Sequence, residues 1–332
     1  MKILITGATG YLGAAIVCEA LDRGYAVKAL GRIPRDQTTI PASVEYVQGD
    51  ILDVSSLKKA VSGCEAVIHS AGLVSIWEKD PTRFHQINVV GTENLLRAAC
   101  DQNHLRIVYT SSFFALGPTQ ERPVNESWNN THLYKATEYA TSKTIALKHV
   151  KERLLQGDDI VIAYPCLIYG PGKATQGNHI TKMIDDFVHR RLPGVPKPGT
   201  YRWTYSYVDD VARGHLLALE KGKKGEGYIF GGEDASLLEF LELLEQLTGV
   251  KRPRRRIPLS LLKGVAWFEE LRANLSNTHL PKITKDVVEV YNHHWRYSSN
   301  KAIVELGYTR TPLKMGLIKT LESLGFTVKE DW

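Results

Sequence analysis

The chain of 332 residues is 43% hydrophobic and 23% charged, with a net charge of +6 and a pI of about 9.0. These values describe an ordinary globular protein with a sizeable core, exclude a disordered or collagen-like chain, and give no reason to invoke nucleic acid. The cysteines Cys18, Cys64, Cys100 and Cys166 stand too far apart for a metal cluster or a CxxC pair, which leaves core thiols in a reducing compartment.

The first stretch is the most informative. Ile3-Leu4-Ile5 reads as a buried strand ending at Thr6, and a helix is predicted from Tyr11-Leu12 to about Asp22. Between them stand Gly7, Thr9 and Gly10, with Gly13 one turn into the helix. A glycine turn between a strand and a helix suits a dinucleotide. Gly7 permits the turn, Gly10 lets the backbone approach a pyrophosphate, and Gly13 lets the helix pack on the strand. The helix N-terminus then directs N–H groups at the anion.

Further strands are predicted at 25–30, 44–47, 66–69, 106–110 and 160–164, with helices through 57–61, 83–101 and 134–155. This alternation predicts an α/β fold, a Rossmann-type doubly wound parallel sheet with ligands at the carboxyl ends of its strands. Residues 1–165 are expected to form the nucleotide domain, with 205–222 returning to it. Residues 166–204 and 223–332 are expected to form a smaller, mostly helical lobe. Within the lobe, the basic run Lys251–Arg256 precedes an apolar-faced stretch, Leu259–Leu271. A membrane surface or an acidic partner would suit that pair, but a solvated connection followed by a core helix is the favoured reading. Adjacent His293 and His294 would face opposite sides of a strand, and no metal site is expected. The chain enters a strand at once, which leaves no room for a signal peptide, and no apolar run would span a bilayer, so a cytoplasmic location is expected.

The end of the second strand carries Gly31-Arg32, with Arg35 close behind, where an acid would indicate NAD. A guanidinium pairs with a 2′-phosphate and an acid repels it, so NADP(H) is favoured, with NAD(H) as the other possibility. Asp50, with Ile51 after it, is placed to bond the adenine ring, and Ser70, Ala71 and Gly72 form a small wall beside the cofactor.

Tyr139 and Lys143 stand four apart on one predicted helix and so share a face. A nearby ammonium favours the phenolate and would draw the tyrosine toward working pH. Tyr134 is a competing phenol, but Glu138 four residues later acts in the wrong direction. Thr110-Ser111-Ser112 ends the preceding strand, where a hydroxyl can orient a carbonyl oxygen.

With these residues in place, the chain resembles an extended short-chain dehydrogenase/reductase, of the NAD-dependent epimerase/dehydratase superfamily. The resemblance rests on Thr6-Gly7-Ala8-Thr9-Gly10-Tyr11-Leu12-Gly13, on Asn88-Val89-Val90-Gly91-Thr92-Glu93-Asn94-Leu95, on Tyr164-Pro165-Cys166-Leu167-Ile168-Tyr169-Gly170 and on Tyr207–Ala212. It implies a catalytic set of Ser112, Tyr139 and Lys143, with Asn88 holding a water that relays the proton. Ser112 is chosen over Ser111 because the family serine stands five residues before the glycine that is Gly117 here. The resemblance also implies cofactor contacts at Thr6–Gly13, Thr110, Pro165, Leu167 and Ile168. The chain is similar to the dihydroflavonol-4-reductase-like branch and to bacterial hopanoid-associated sugar epimerases, through Val67–Gly72 and Trp77. Plant dihydroflavonol reductases carry an asparagine where Gly117 stands, which speaks against a flavonoid substrate.

The expected substrate pocket is lined by Val74, Trp77, Phe113, Phe114, Tyr169 and Trp203, which would suit an apolar or aromatic molecule. The leading reading is an NADPH-dependent reductase of ketones or aldehydes with Tyr139 as general acid/base. The alternatives are a nucleotide-sugar epimerase or dehydratase, for which Arg202 and Lys182 are the candidate diphosphate ligands, and an NADP(H) sensor without turnover. A homodimer through the helices of Asn88 and Tyr139 is a family expectation.

Overall fold

The computed structural model describes residues 1–103, 105–130, 137–172, 177–276 and 278–328. Its main sheet has seven strands: β1 (Lys2–Thr6), β2 (Ala26–Gly31), β3 (Glu45–Gln48), β4 (Ala66–His69), β5 (Arg106–Thr110), β6 (Ile160–Pro165) and β10 (Gly227–Phe230). They run parallel in the order β10-β6-β5-β4-β1-β2-β3. The order of the strands reverses between β1 and β4, and in sheets of this kind ligands bind outside the carboxyl ends at that point.

The strands are apolar on both faces, as a sheet covered on both sides requires. Leu4, Val67, Ile107 and Ile162 pack under α2 (Val54–Val61), α4 (Gly91–Asn103) and α5 (Glu138–Leu155). Ile3, Ile5, Ile68, Val108 and Val161 face α1 (Tyr11–Asp22) and α7 (Val208–Lys221). Cys64, Cys100 and Cys166 are buried and unbridged, whereas Cys18 is exposed.

Three sequence expectations are corrected here. The helix expected over 83–101 is interrupted: a short α3 (Thr82–His85) passes into a π-helical turn, Gln86–Val90, before α4 resumes. Residues 207–221 return as the covering helix α7, and the strand that joins the sheet beside β6 is β10, within the stretch assigned to the lobe. The apolar stretch after the basic run is α9 (Leu259–Leu275), and only Leu262, Ala266 and Ala273 of it are buried, so it is no core helix. Its register was legible, but which of two apolar faces met the protein was not.

The lobe otherwise consists of a second sheet, β11-β9-β7 (Asp234–Ser236, Arg202–Tyr207, Leu167–Tyr169), and a two-stranded pairing of β12 (Arg256–Ile257) with β8 (Val195–Pro196). Around them lie α6 (His179–Val188), α8 (Leu237–Thr248), α10 (Lys285–Val290) and α12 (Leu313–Ser323). The helix α11 (Asn300–Leu306) packs back onto α7 and β10.

Candidate active site

The glycine turn is tied to the neighbouring strand rather than free. Gly7 has φ +72°, and a Cβ there would lie 2.7 Å from the Ala71 nitrogen. A Cβ at Gly13 would run into the Gly7 carbonyl oxygen. Both positions therefore exclude larger residues, and the turn stays flush against β4. Gly10 caps α1, and no side chain accepts a bond from the first turn of that helix. An uncapped helix start under a loop of small residues fits a dinucleotide diphosphate.

The other cofactor candidates divide into two groups. Thr6 is buried, its hydroxyl taken by His69 Nδ1 at 2.7 Å and by the Ala71 N–H at 3.3 Å. The Ser70 hydroxyl donates to the Thr6 carbonyl at 2.7 Å. Thr110 is also buried, with its hydroxyl against His215 Nε2 at 3.0 Å. Ile51 is buried against Gly91. The side chains of these residues shape the crevice instead of facing it, because satisfying buried polar atoms takes precedence. Tyr11 donates its phenol to the Gly170 carbonyl at 2.9 Å and so joins α1 to the end of β7. Thr9 reaches Gly31 at the end of β2, and Leu12 is half-buried on α1.

At the same end, Arg32 is exposed, whereas Arg35 donates to the Pro41 carbonyl at 2.7 Å and lies over the Tyr46 ring. Arg35 Nη1 is buried with no partner among the described residues. Asp50 uses Oδ1 to accept the Leu52 N–H at 3.0 Å. Ala71, Leu167 and Ile168 are half-buried, Gly72 is exposed, and Pro165 ends β6 inside the core.

The catalytic candidates meet where β5 runs into α5. Ser112, extended at φ −160°, leaves β5 and starts a single helical turn, Phe113–Ala115, by accepting the Phe114 N–H at 3.3 Å. The same hydroxyl lies close enough to the Tyr139 phenol to favour its ionised form. Ser111, one residue earlier, turns its hydroxyl into the interior, where it has no partner among the described residues. Alternation along the strand end is what separates the two serines. Thr137 starts α5 by accepting the Ala140 N–H at 3.0 Å, which sets Tyr139 on its first turn and Lys143 on the second. The competing phenol Tyr134 lies outside the described residues.

Lys143 is buried and donates to the Thr110 carbonyl at 2.6 Å. Burial pushes its pKa down to about 7. Burial pushes the Tyr139 phenol the other way, up to about 12, with the Ser112 bond opposing it. The phenol is thus raised where the sequence led to the expectation of a pull toward working pH: burial is the first cause, and Lys143, whose ammonium donates to the Thr110 carbonyl, is not among the causes. His69 lies behind this pair, pushed down to about 3 by burial and by the Lys143 cation. His215 is pushed down to about 4 by burial.

Asn88 sits on the π-helical turn, buried beneath the site. Its amide bonds Leu73 twice, accepting from the N–H at 2.7 Å and donating to the carbonyl at 3.0 Å, and donates to Ser142 Oγ at 2.9 Å. It therefore ties the Gly72–Leu73 segment to α5. A π turn inserts the one residue of offset that such an aim needs, and such turns recur at functional sites.

Of the substrate candidates, Phe114 is half-buried and meets the Tyr139 ring edge-on at 5.8 Å. Val74 is exposed and Trp77 is half-buried. Three others are corrected. Phe113 is buried among Trp295 and Tyr297, Tyr169 is buried between Tyr205 and Tyr207, and Trp203 is buried with its indole donating to the His293 carbonyl at 3.1 Å. Aromatic residues near a pocket and in a core look alike in sequence; here the core took them.

Sequence reasoning missed the 295–297 segment. Trp295 packs on Phe114 at 4.9 Å, and the Tyr297 phenol donates to the Gly117 carbonyl at 2.5 Å. No spacing signal connects residues so far apart in the chain. The diphosphate candidates Arg202 and Lys182 are both engaged, Arg202 by the Glu239 carboxylate at 2.7 Å and Lys182 by Asp186 at 3.4 Å. His293 bonds Glu289 and His294 accepts the Arg202 N–H; among the described residues no cluster of metal-binding side chains occurs.

Comparison with known proteins agrees with this geometry. The family model described as the NAD dependent epimerase/dehydratase family matches residues 3–231. The chain is 33% identical to "Sterol demethylase protein B" of Methylococcus capsulatus, over 94% of each chain. It is 34% identical to a Synechocystis sp. protein provisionally named a dihydroflavonol 4-reductase, over 94% of this chain and 91% of that one. The crystal structure of gox2253 superimposes with a TM-score of 0.82 at 31% identity, covering 98% of both chains.

Proposed function

The chain belongs to the NAD dependent epimerase/dehydratase family of extended short-chain dehydrogenase/reductases, and from that premise we propose that it is an NADPH-dependent reductase of ketones or aldehydes on apolar small molecules. The observation that carries this reading is the meeting of three side chains at the strand ends next to the glycine turn: Ser112 starts the turn whose Phe114 packs edge-on against Tyr139, and Lys143, one helical turn along, is buried against the Thr110 carbonyl. A reduced nicotinamide, held through the glycine turn and the start of α1, would supply the hydride for the carbonyl carbon. Ser112 Oγ holds the carbonyl oxygen, and Tyr139 Oη gives that oxygen its proton as the C–O bond becomes an alcohol. A phenol pushed up to about 12 is protonated at neutral pH and so has a proton to give. Lys143, one turn along α5, is the cation on hand when the phenol gives up its proton.

The uncapped start of α1 and the small residues of the turn would hold the diphosphate. The exposed Arg32 and the unpartnered Nη1 of Arg35 favour a 2′-phosphate, hence NADP(H) over NAD(H). The half-buried aromatic wall of Phe114 and the similarity to a protein named for sterol demethylation favour an apolar substrate. The ion pairs that occupy Arg202 and Lys182 count against a nucleotide-sugar epimerase, which needs free cations for a second diphosphate.

The test is NADPH consumption against a panel of steroid, alicyclic and aromatic ketones and aldehydes, with Tyr139→Phe as control and mass identification of any nucleotide that copurifies. A reductase consumes NADPH in step with alcohol formed. An epimerase consumes none and retains NAD, and a sensor binds NADPH without turnover of any panel member; either result overturns the proposal.

A further inference from the structure

The helix α9 is apolar on two opposite faces. Leu262, Ala266 and Ala273 face the lobe, where Leu262 and Ala266 pack with Val288 of α10. Leu261, Val265, Phe268, Leu271 and Leu275 recur at helical steps of four and three and are all exposed. Trp267 extends the same arc at 54% exposure, beside Phe268 at 53%. A row of six large apolar side chains along one exposed helix face exceeds the scattered single residues that any surface carries.

The charges around the row are of two kinds. Those on and beside α9 are paired: Lys263 with Glu289, Lys285 of α10 with Glu270, and Arg272, which lies over the Phe268 ring within the apolar row, with Glu269. Immediately before the helix, Arg254, Arg255 and Arg256 are exposed and form no ion pair among the described residues. An apolar helix face with unpaired cations at its entrance matches one kind of surface, a bilayer whose headgroups are anionic. The helix does not span: among the described residues none is long and apolar enough to cross a membrane.

We infer that α9 and the Arg254–Arg256 cations dock the protein on an anionic lipid surface, with the Trp267–Phe268 face sunk into the interface. The position is informative. From α10 the chain runs directly to Trp295, which packs on Phe114 beside Tyr139. Docking through α9 would hold this wall of the site against the phase in which an apolar substrate dissolves.

The experiment is flotation of the full chain with vesicles of phosphatidylcholine alone and of phosphatidylcholine with phosphatidylglycerol. The chain should float with the second and not the first, and high salt should release it. Each arginine contributes about five-fold to partitioning near such a surface, so Arg254→Gln/Arg255→Gln/Arg256→Gln should weaken it on the order of a hundred-fold. Trp267→Asp/Phe268→Asp should abolish flotation while far-UV circular dichroism and NADPH binding stay unchanged. For the unaltered chain, brominated lipids should quench Trp267 fluorescence, with Trp267→Phe as control. The inference is overturned by equal recovery with both vesicles, by flotation that survives both variants, or by light scattering that shows a dimer which Phe268→Asp splits while no vesicle is bound.

Discussion

The two halves of the crevice are made of different material. Between β1 and α1 the site is backbone: Gly7 and Gly13 admit no Cβ, and the first turn of α1 has no side-chain cap. Around β5 and α5 it is side chain: Ser112, Tyr139 and Lys143 converge, and Thr110, Asn88 and His69 hold the surroundings in place. A backbone site can be shaped only by residues that leave space, and its chemistry is binding. A side-chain site depends on the partners that hold its polar atoms, and the chemistry proposed for it is proton transfer.

That contrast can be broken in order of expected effect. Tyr139→Phe removes the proton donor and nothing from the nucleotide half; kcat should fall by about 10²–10⁴ while the Kd for NADPH, read by fluorescence titration, stays within about two-fold. Ser112→Ala should lower kcat by roughly 10², whereas Ser111→Ala, which deletes a buried hydroxyl without a partner, should leave it unchanged. The reverse order in steady-state assays would show that the wrong serine has been chosen. In the nucleotide half, Arg32→Ala should weaken NADPH by about 10- to 100-fold and leave NADH alone. Equal losses for both nucleotides would remove the 2′-phosphate from the account.

The smallest effect sharpens the contrast through stability. His69 and His215 are neutral in the fold, held at about 3 and about 4, against 6.5 for an unperturbed imidazole. Below that pH the unfolded chain binds protons that the folded chain does not, so stability falls as pH falls. Between about pH 8 and about pH 5.5 each should cost about 1.4 kcal/mol, and urea titrations of His69→Gln and His215→Gln should show correspondingly flatter acid limbs.

The same division explains what could be read from the chain alone. The glycine turn and the first helix, Tyr11–Asp22, were legible to the residue, because backbone geometry restricts which amino acids can stand there. The parallel sheet was legible through its alternation, except for β10, a four-residue strand with no periodicity to mark it. Tyr139 and Lys143 were visible from helical spacing, but their electrostatics were not: burial depends on everything packed above them, and it reversed the expected shift of the phenol. Phe113, Tyr169 and Trp203 went to the core for the same reason, and α9 went the other way, its apolar residues divided between an inner and an outer face.

The central claim is that Tyr139 and Ser112 hand a proton to an oxygen while a hydride reaches the adjoining carbon. It is tested most directly by single turnover of an apolar ketone with NADPH carrying deuterium at both C4 positions, followed by mass spectrometry of the product. The account requires one deuterium on the carbinol carbon for each NADPH oxidised, and no label transferred by Tyr139→Phe on the same timescale. Product carrying no deuterium, or transfer that proceeds equally well without the phenol, would contradict it.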